Sequence, residues 1–314
     1  MIRAAADSDL AKFFEQHYTT KERLADASAN TMRDYRIQLR HLQTFHKSQG
    51  NSEPLKVGDL SDELIRGAIN WQMQRNRTVA TADKLRRFAC AVWSFAFDEG
   101  IREDRPRVKS LRQPKRQPAC WSIDEFSRLL DAARRLPGHV GPYTSATFFR
   151  ALLLTVFNSG ARISAVMSIR KTWVDIESGL LRIDASVQKD KEDQVVTLRG
   201  DTVEAINRIM PNVEAELFES WTQDRTRPQW PKLNEVLAEL IVSAGLRPNR
   251  QAVTRRDYWH KIRRTFATYV TRSAGIETAR EMLGHSSVDT TWRYVDRSKL
   301  ETPSQAELLP SLEA

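Results

Sequence analysis

Between Ile101 and Pro118 the chain cannot run as one long helix. Seven bases (Arg102, Arg105, Arg107, Lys109, Arg112, Lys115 and Arg116) stand there against two acids, Glu103 and Asp104. Pro106, Pro114 and Pro118 remove the N–H donors that a long helix would need. Such a stretch divides the 314 residues into two regions that must each build a core. It reads as a basic interdomain linker over 101–119, either a solvated connector or a strap that tracks phosphates.

The region before it, 1–112, shows only helical periodicity. Ser8-Asp9 can cap a helix carrying Leu10, Phe13 and Phe14. Asn30-Thr31 precedes Met32, Tyr35, Leu39, Leu42 and Phe45, spaced as one face of a helix. Leu60-Ser61 opens a third helix through Trp71, and Thr78 to Phe97 forms a fourth that Gly100 ends. Four helices in about 100 residues make a small bundle. Its outward positions are rich in bases, among them Arg33, Arg36, Arg40, Lys84, Arg86 and Arg87.

Past the linker the period changes. Ser122 to Glu125 spells a capping box for a helix through Ala133, and Phe148 to Phe157 is an apolar helix ended by Asn158-Ser159-Gly160. Trp173–Ile176, Leu180–Ile183 and Gln194–Leu198 alternate as three short strands. Helices return at Thr202–Met210, Leu233–Ala244, Tyr258–Ala274, Glu277–Leu283 and Val288–Tyr294. The fold class expected is therefore mainly α with a small antiparallel sheet: a helical bundle, then an α+β domain over 120–300, then a tail over 301–314.

Charge narrows the class of partner. Forty-nine Lys and Arg against forty Asp and Glu give a net charge of +9 and a pI near 9.7. That excess favours a polyanion, with nucleic acid first. No apolar run approaches the ~20 residues of a membrane helix. The N-terminus has acids and no apolar signal core, which argues for the cytoplasm, as do two cysteines, Cys90 and Cys120, too few for a disulfide framework. There is no phosphate-binding glycine loop and no acidic cluster for two-metal chemistry, so neither a cofactor nor a metal is expected.

What stands out is a set of cations and one phenol in the second region. His260-Lys261-Ile262-Arg263 places His260 and Arg263 on one helix face. Leu283-Gly284-His285 follows 22 residues after Arg263, and Tyr294 comes nine residues after His285. Upstream, Gly160-Ala161-Arg162 puts an arginine at a helix-to-helix turn, and Lys189 lies in the hairpin joining the second and third strands. Singly, each has a dull account: a capping arginine, a structural histidine, a solvated hairpin tip, a core tyrosine. Their joint order and spacing do not.

That arrangement resembles the tyrosine recombinase (phage integrase) family over most of the chain. The resemblance implies a helical, SAM-like core-binding domain over 1–112, a catalytic domain over 120–300 and a tail that docks on a neighbouring protomer; a frayed terminus is the alternative for the tail. In the family pattern the hairpin lysine precedes a Val-Pro-Leu by seven residues. Here Val196-Thr197-Leu198 stands in that place and points to Lys189, with Lys191 in reserve. A glutamate often found three residues after the first arginine is Ala165 in this chain, a loss expected to loosen Arg162.

The types suit metal-free cleavage of a DNA backbone. A phenol ionises near pH 10, so a tyrosine nucleophile must lose its proton as it attacks. Arg162 and Arg263 can fork onto non-bridging oxygens, Lys189 can protonate the leaving 5′-oxygen, His260 can shuttle a proton and His285 can donate to phosphate. The resemblance implies a 3′-phosphotyrosyl intermediate, a homo-tetramer on two double-stranded DNA sites with a Holliday junction between them, and room for accessory DNA-bending factors. Expected DNA contacts are Arg33, Arg36, Arg40, Lys84, Arg87, Arg107, Lys109, Arg112, Lys115, Arg116 and Arg264. Two other readings stay open: a type IB topoisomerase and a catalytically silent DNA-binding protein.

Overall fold

The computed structural model describes residues 6–20, 27–113, 117–188, 190, 192–213, 215–221 and 230–300. The chain forms two compact units, 1–115 and 116–314. Both are mainly helical, and the second carries small antiparallel sheets, as the periodicities predict.

The first unit is built by α1 (Leu10–Phe13), α2 (Ala29–Ser48), α3 (Asp62–Gln74) and α4 (Val79–Asp98). Side-chain caps start each: Asp9, Ser28, Ser61 and Thr78 accept from N–H groups of the first turns. Helix α2 thus begins earlier than Asn30-Thr31 suggested, because Ser28 provides the cap. A π-helical turn, Phe14–Tyr18, follows α1 and was not legible in the sequence. Leu10, Phe13, Phe14, Leu42, Leu85 and Phe88 fill the core, each at most 1% exposed.

Much of the stretch read as a linker is packed on this unit. Ile101, Val108 and Leu111 lie against its core. Asp83 Oδ1 accepts from Arg86 Nε at 2.7 Å and from the Leu111 N–H at 3.2 Å, while Arg86 Nη1 donates to the Val108 carbonyl. Arg86, expected on an outward face, is instead turned inward because this carboxylate holds it. Residues 114–116, with Lys115 and Arg116, lie outside the described residues.

The second unit is organised around α6 (Ser145–Ser159), which is buried on nearly every side. Against it pack α5 (Ile123–Arg134), α8 (Gly200–Asn207) and the long α10 (Trp259–Leu283); α7 (Ile163–Met167), α9 (Trp230–Ser243) and α11 (Val288–Trp292) complete the helices described here. Gly275, at φ +86°, breaks α10 into the two helices expected from sequence. A two-stranded hairpin, β1 (His139–Val140) with β2 (Tyr143–Thr144), is too short to show a period. Strands β3 (Val174–Asp175), β4 (Leu180–Ile183) and β5 (Gln194–Thr197) form one antiparallel sheet with Leu181 opposite Val196. The loop from β4 to β5 reaches towards the turn after α6, which places the site.

Candidate functional site

Helix α6 ends at Gly160, in the left-handed region at φ +59°. A Cβ there would meet the Phe266 ring at 2.3 Å, so only glycine lets α10 pass this close. Two residues on, Arg162 caps α7. The same turn offers the Gly160 carbonyl, which accepts from Arg263 Nη1. One glycine therefore sets both arginines.

Arg263 is 1% exposed. Its Nη2 donates to the Leu283 carbonyl at 3.0 Å and lies 3.0 Å from His285 Nε2. The guanidinium thus ties the ends of α6 and α10 to the following turn. Burial lowers its pKa to about 10, helped by Arg162 and partly offset by Tyr294 and Asp190. It remains a cation at neutral pH.

His285 is 4% exposed and shares its other nitrogen, Nδ1, with Thr291 Oγ1 at 3.1 Å. Burial first, then Arg263 and Arg162, push its pKa down to about 4. The ring is neutral at pH 7, and arginine has no acceptor, so Nε2 receives from Arg263 and Nδ1 carries the proton. In this state His285 is a second-hand support of Arg263; the phosphate donor expected from sequence would need its Nε2 freed.

Tyr294 is half-buried, directly after α11 and packed with Ala267, Leu283 and Val295. Its ring lies 5.0 Å from that of His285 and 5.8 Å from that of His260, and the Arg263 guanidinium carbon is 5.5 Å from its centroid. His260 has an edge open to solvent, yet desolvation and then Arg263, Arg264 and Arg162 lower its pKa. It is poised as a neutral ring able to take a proton. The segment after Tyr294 is anchored by Asp296, which accepts from the Cys120 N–H at 3.2 Å while its own N–H donates to Thr268.

Arg162 is not loose. Asp190, from the β4–β5 loop, meets it with Oδ2 2.7 Å from Nη1 and Oδ1 3.3 Å from Nη2. This carboxylate was missed: it lies 28 residues from Arg162, and no local signal pairs the two. The structure thus brings together Arg162, His260, Arg263, His285 and Tyr294. Lys189 and the reserve Lys191 lie outside the described residues.

Arg264 lines a neighbouring recess of about 290 Å³ with Arg247, Arg256, Lys261 and Arg293. Its Nε is buried without a partner, and burial lowers its pKa. In the first unit Arg33, Arg36, Arg40, Lys84 and Arg87 are exposed. Three of them already hold carboxylates, Arg36 with Glu15 at 2.8 Å, Lys84 with Asp34 at 2.9 Å and Arg87 with Asp83 at 3.5 Å. Arg107, Lys109 and Arg112 are exposed on the packed strap. Among the described residues no group of three His, Cys, Asp or Glu could hold a metal ion, and no helix is long and apolar enough to cross a membrane.

Comparison with known proteins gives a consistent picture. The model of the phage integrase family matches residues 122–301. Tyrosine recombinase XerD of Mycobacterium tuberculosis is 28% identical over 293 residues, covering 85% of this chain and 87% of that protein. Tyrosine recombinase XerC of Pseudomonas aeruginosa is 24% identical, covering 91% and 89%. Among solved structures, a lambda integrase tetramer bound to a Holliday junction superposes with a TM-score of 0.68 at 13% identity, covering 94% of this chain and 78% of that one. The Tn1549 transposon integrase bound to a circular intermediate DNA gives 0.69 at 12% identity, covering 93% and 95%.

Proposed function

Since the chain belongs to the phage integrase family of tyrosine recombinases and is a site-specific recombinase, we propose that it cuts and rejoins DNA through a 3′-phosphotyrosyl bond at Tyr294, using neither metal nor ATP. Tyr294 Oη attacks phosphorus and gives its proton to His260. The bond from phosphorus to the 5′-oxygen breaks, and Lys189 protonates that oxygen. Arg162 and Arg263 neutralise the non-bridging oxygens, a task for which preorganised charge is worth most. The new ester keeps the energy of the phosphodiester, so a 5′-hydroxyl of a second strand reverses the step on a new partner. The observation that carries this reading is the convergence of Arg263, His285 and His260 on the ring of Tyr294.

The substrate is double-stranded DNA bearing a recombination site, worked on by a homo-tetramer spanning two sites. The first unit and the basic strap supply phosphate contacts. The tail, 301–314, lies outside the described residues; in this reading it docks on a neighbouring protomer. Supporting this, an apolar recess between β5 and α10 leaves Val195 68% and Met282 47% exposed. Removing residues 303–314 should weaken synaptic assembly; recombination at the normal rate would count against the docking.

The test is a nicked duplex that traps the covalent complex, offered to wild type and Tyr294→Phe. Wild type should give a denaturant-resistant adduct. The variant should bind DNA and give none, a loss on the order of 10⁶-fold in cleavage. Binding with no adduct in wild type would mark a silent DNA-binding protein, and an adduct surviving in the variant would displace Tyr294 as the nucleophile.

A further inference from the structure

The fork of Arg162 is full. Both of its terminal nitrogens face one carboxylate, that of Asp190, in a pair whose side chains are 19% and 29% exposed. Two carboxylate oxygens on a guanidinium fork stand where two non-bridging oxygens of a phosphodiester would stand. The fork cannot hold both anions at once. Asp190 also acts on Arg263 and His285 electrostatically. Its negative charge therefore sits beside the two arginines that neutralise the reacting phosphate in the reading above, and beside the histidine that supports one of them.

Two details separate a stand-in from a support. A carboxylate meant to steady Arg162 during the reaction would have to leave the terminal nitrogens to the substrate. Asp190 takes both. A steadying group also belongs on the rigid element beside the arginine, where α7 has Ala165, 1% exposed. Asp190 instead comes from the β4–β5 loop, and loops open at low free-energy cost. We propose that Asp190 is a phosphate surrogate that keeps Arg162 closed in the DNA-free protein and is displaced by the scissile phosphate. This rests on Arg162 being a phosphate ligand.

Inorganic phosphate and the nicked duplex test it together, on the full chain, with Asp190→Asn, Asp190→Glu and Asp190→Asn combined with Arg162→Gln. Asp190→Asn should bind inorganic phosphate about fivefold more tightly than wild type, the worth of one modest ion pair. The gain should be absent in Asp190→Glu, which keeps the charge, and in the double variant, which lacks the fork. Asp190→Asn should also form adduct faster at subsaturating DNA and reach the wild-type rate at saturation. Phosphate affinity equal to wild type, or slower adduct formation at saturating DNA, would overturn the proposal and make Asp190 a support of Arg162. If wild type forms no adduct, the proposed chemistry fails, and the phosphate titration alone still decides whether Asp190 closes the fork.

Discussion

Arg263 donates to His285, Nη2 to Nε2 at 3.0 Å, and so turns the lone pair of that histidine, not its N–H, towards the cationic centre. The remaining proton is on Nδ1 and faces Thr291. One tautomer is thereby selected, and the ring is kept neutral by burial first and then by the same guanidinium it receives from. The consequence can be measured as a dependence of stability on pH.

The folded chain holds His285 down at about 4, whereas an unfolded histidine takes up its proton near pH 6.5. Between those values the unfolded state binds more protons, so stability rises with pH. The contribution is complete above about pH 6.5 and is lost as pH falls towards 4, by up to ~3 kcal/mol. Urea denaturation at pH 7 and pH 4.5 should show a smaller drop for His285→Gln than for wild type. His260, lowered in the same direction, leaves part of the drop in the variant. Equal drops would mean that His285 is not held neutral.

Gly160→Ala should be among the costliest single-methyl additions in the second unit. The new Cβ meets Phe266 at 2.3 Å and must sit at φ +59°. Overpacking and strained backbone together predict a loss of about 2–4 kcal/mol. Because the Gly160 carbonyl receives Arg263 and Arg162 follows two residues later, adduct formation should fall even at temperatures where the variant is folded. A melting scan paired with the nicked-duplex assay checks both.

Asp257 is 3% exposed and sits between Arg247 and Lys261, the latter 3.5 Å away. Burial pushes its carboxyl up, but Thr254, Arg247 and Lys261 outweigh that and hold it below the usual range. The Lys261 ammonium also lies 3.4 Å from the Trp121 ring centroid. Asp257→Ala strands two cations and should cost about 3–5 kcal/mol, whereas Lys261→Met leaves Asp257 with Arg247 and should cost clearly less. The order of the two denaturation midpoints is the readout, and a reversed order would refute the assignment.

Arg33 and Arg40 share a face of α2 and are exposed. If each meets a phosphate, Arg33→Gln with Arg40→Gln should lower the slope of log affinity against log salt by about 2. A titration on one duplex at several salt concentrations measures it. An unchanged slope would remove this face from the DNA contacts.

Most of the helices were legible because an apolar face repeats over several turns, as along Leu85, Phe88, Val92 and Trp93. The set His260, Arg263, His285 and Tyr294 was legible for a different reason: their order and spacing follow a family pattern. Asp190 was not, since it reaches Arg162 only through the return of a loop across 28 residues. Nor was the packing of Ile101, Val108 and Leu111, whose apolar side chains are diluted by the bases between them. The Phe14–Tyr18 turn and the strands at His139–Thr144 are too short for any period to register.

Arg263 spends its donors on the Gly160 and Leu283 carbonyls as well as on His285. Its loss would leave two buried acceptors unmet, a cost to the fold and not only to the reaction. The Tyr294 hydroxyl meets the Arg263 side chain but satisfies no backbone group among the described hydrogen bonds. If Tyr294 is the nucleophile, a descendant of such a chain that decays into a silent DNA binder can shed it at little cost to the fold but must keep this arginine.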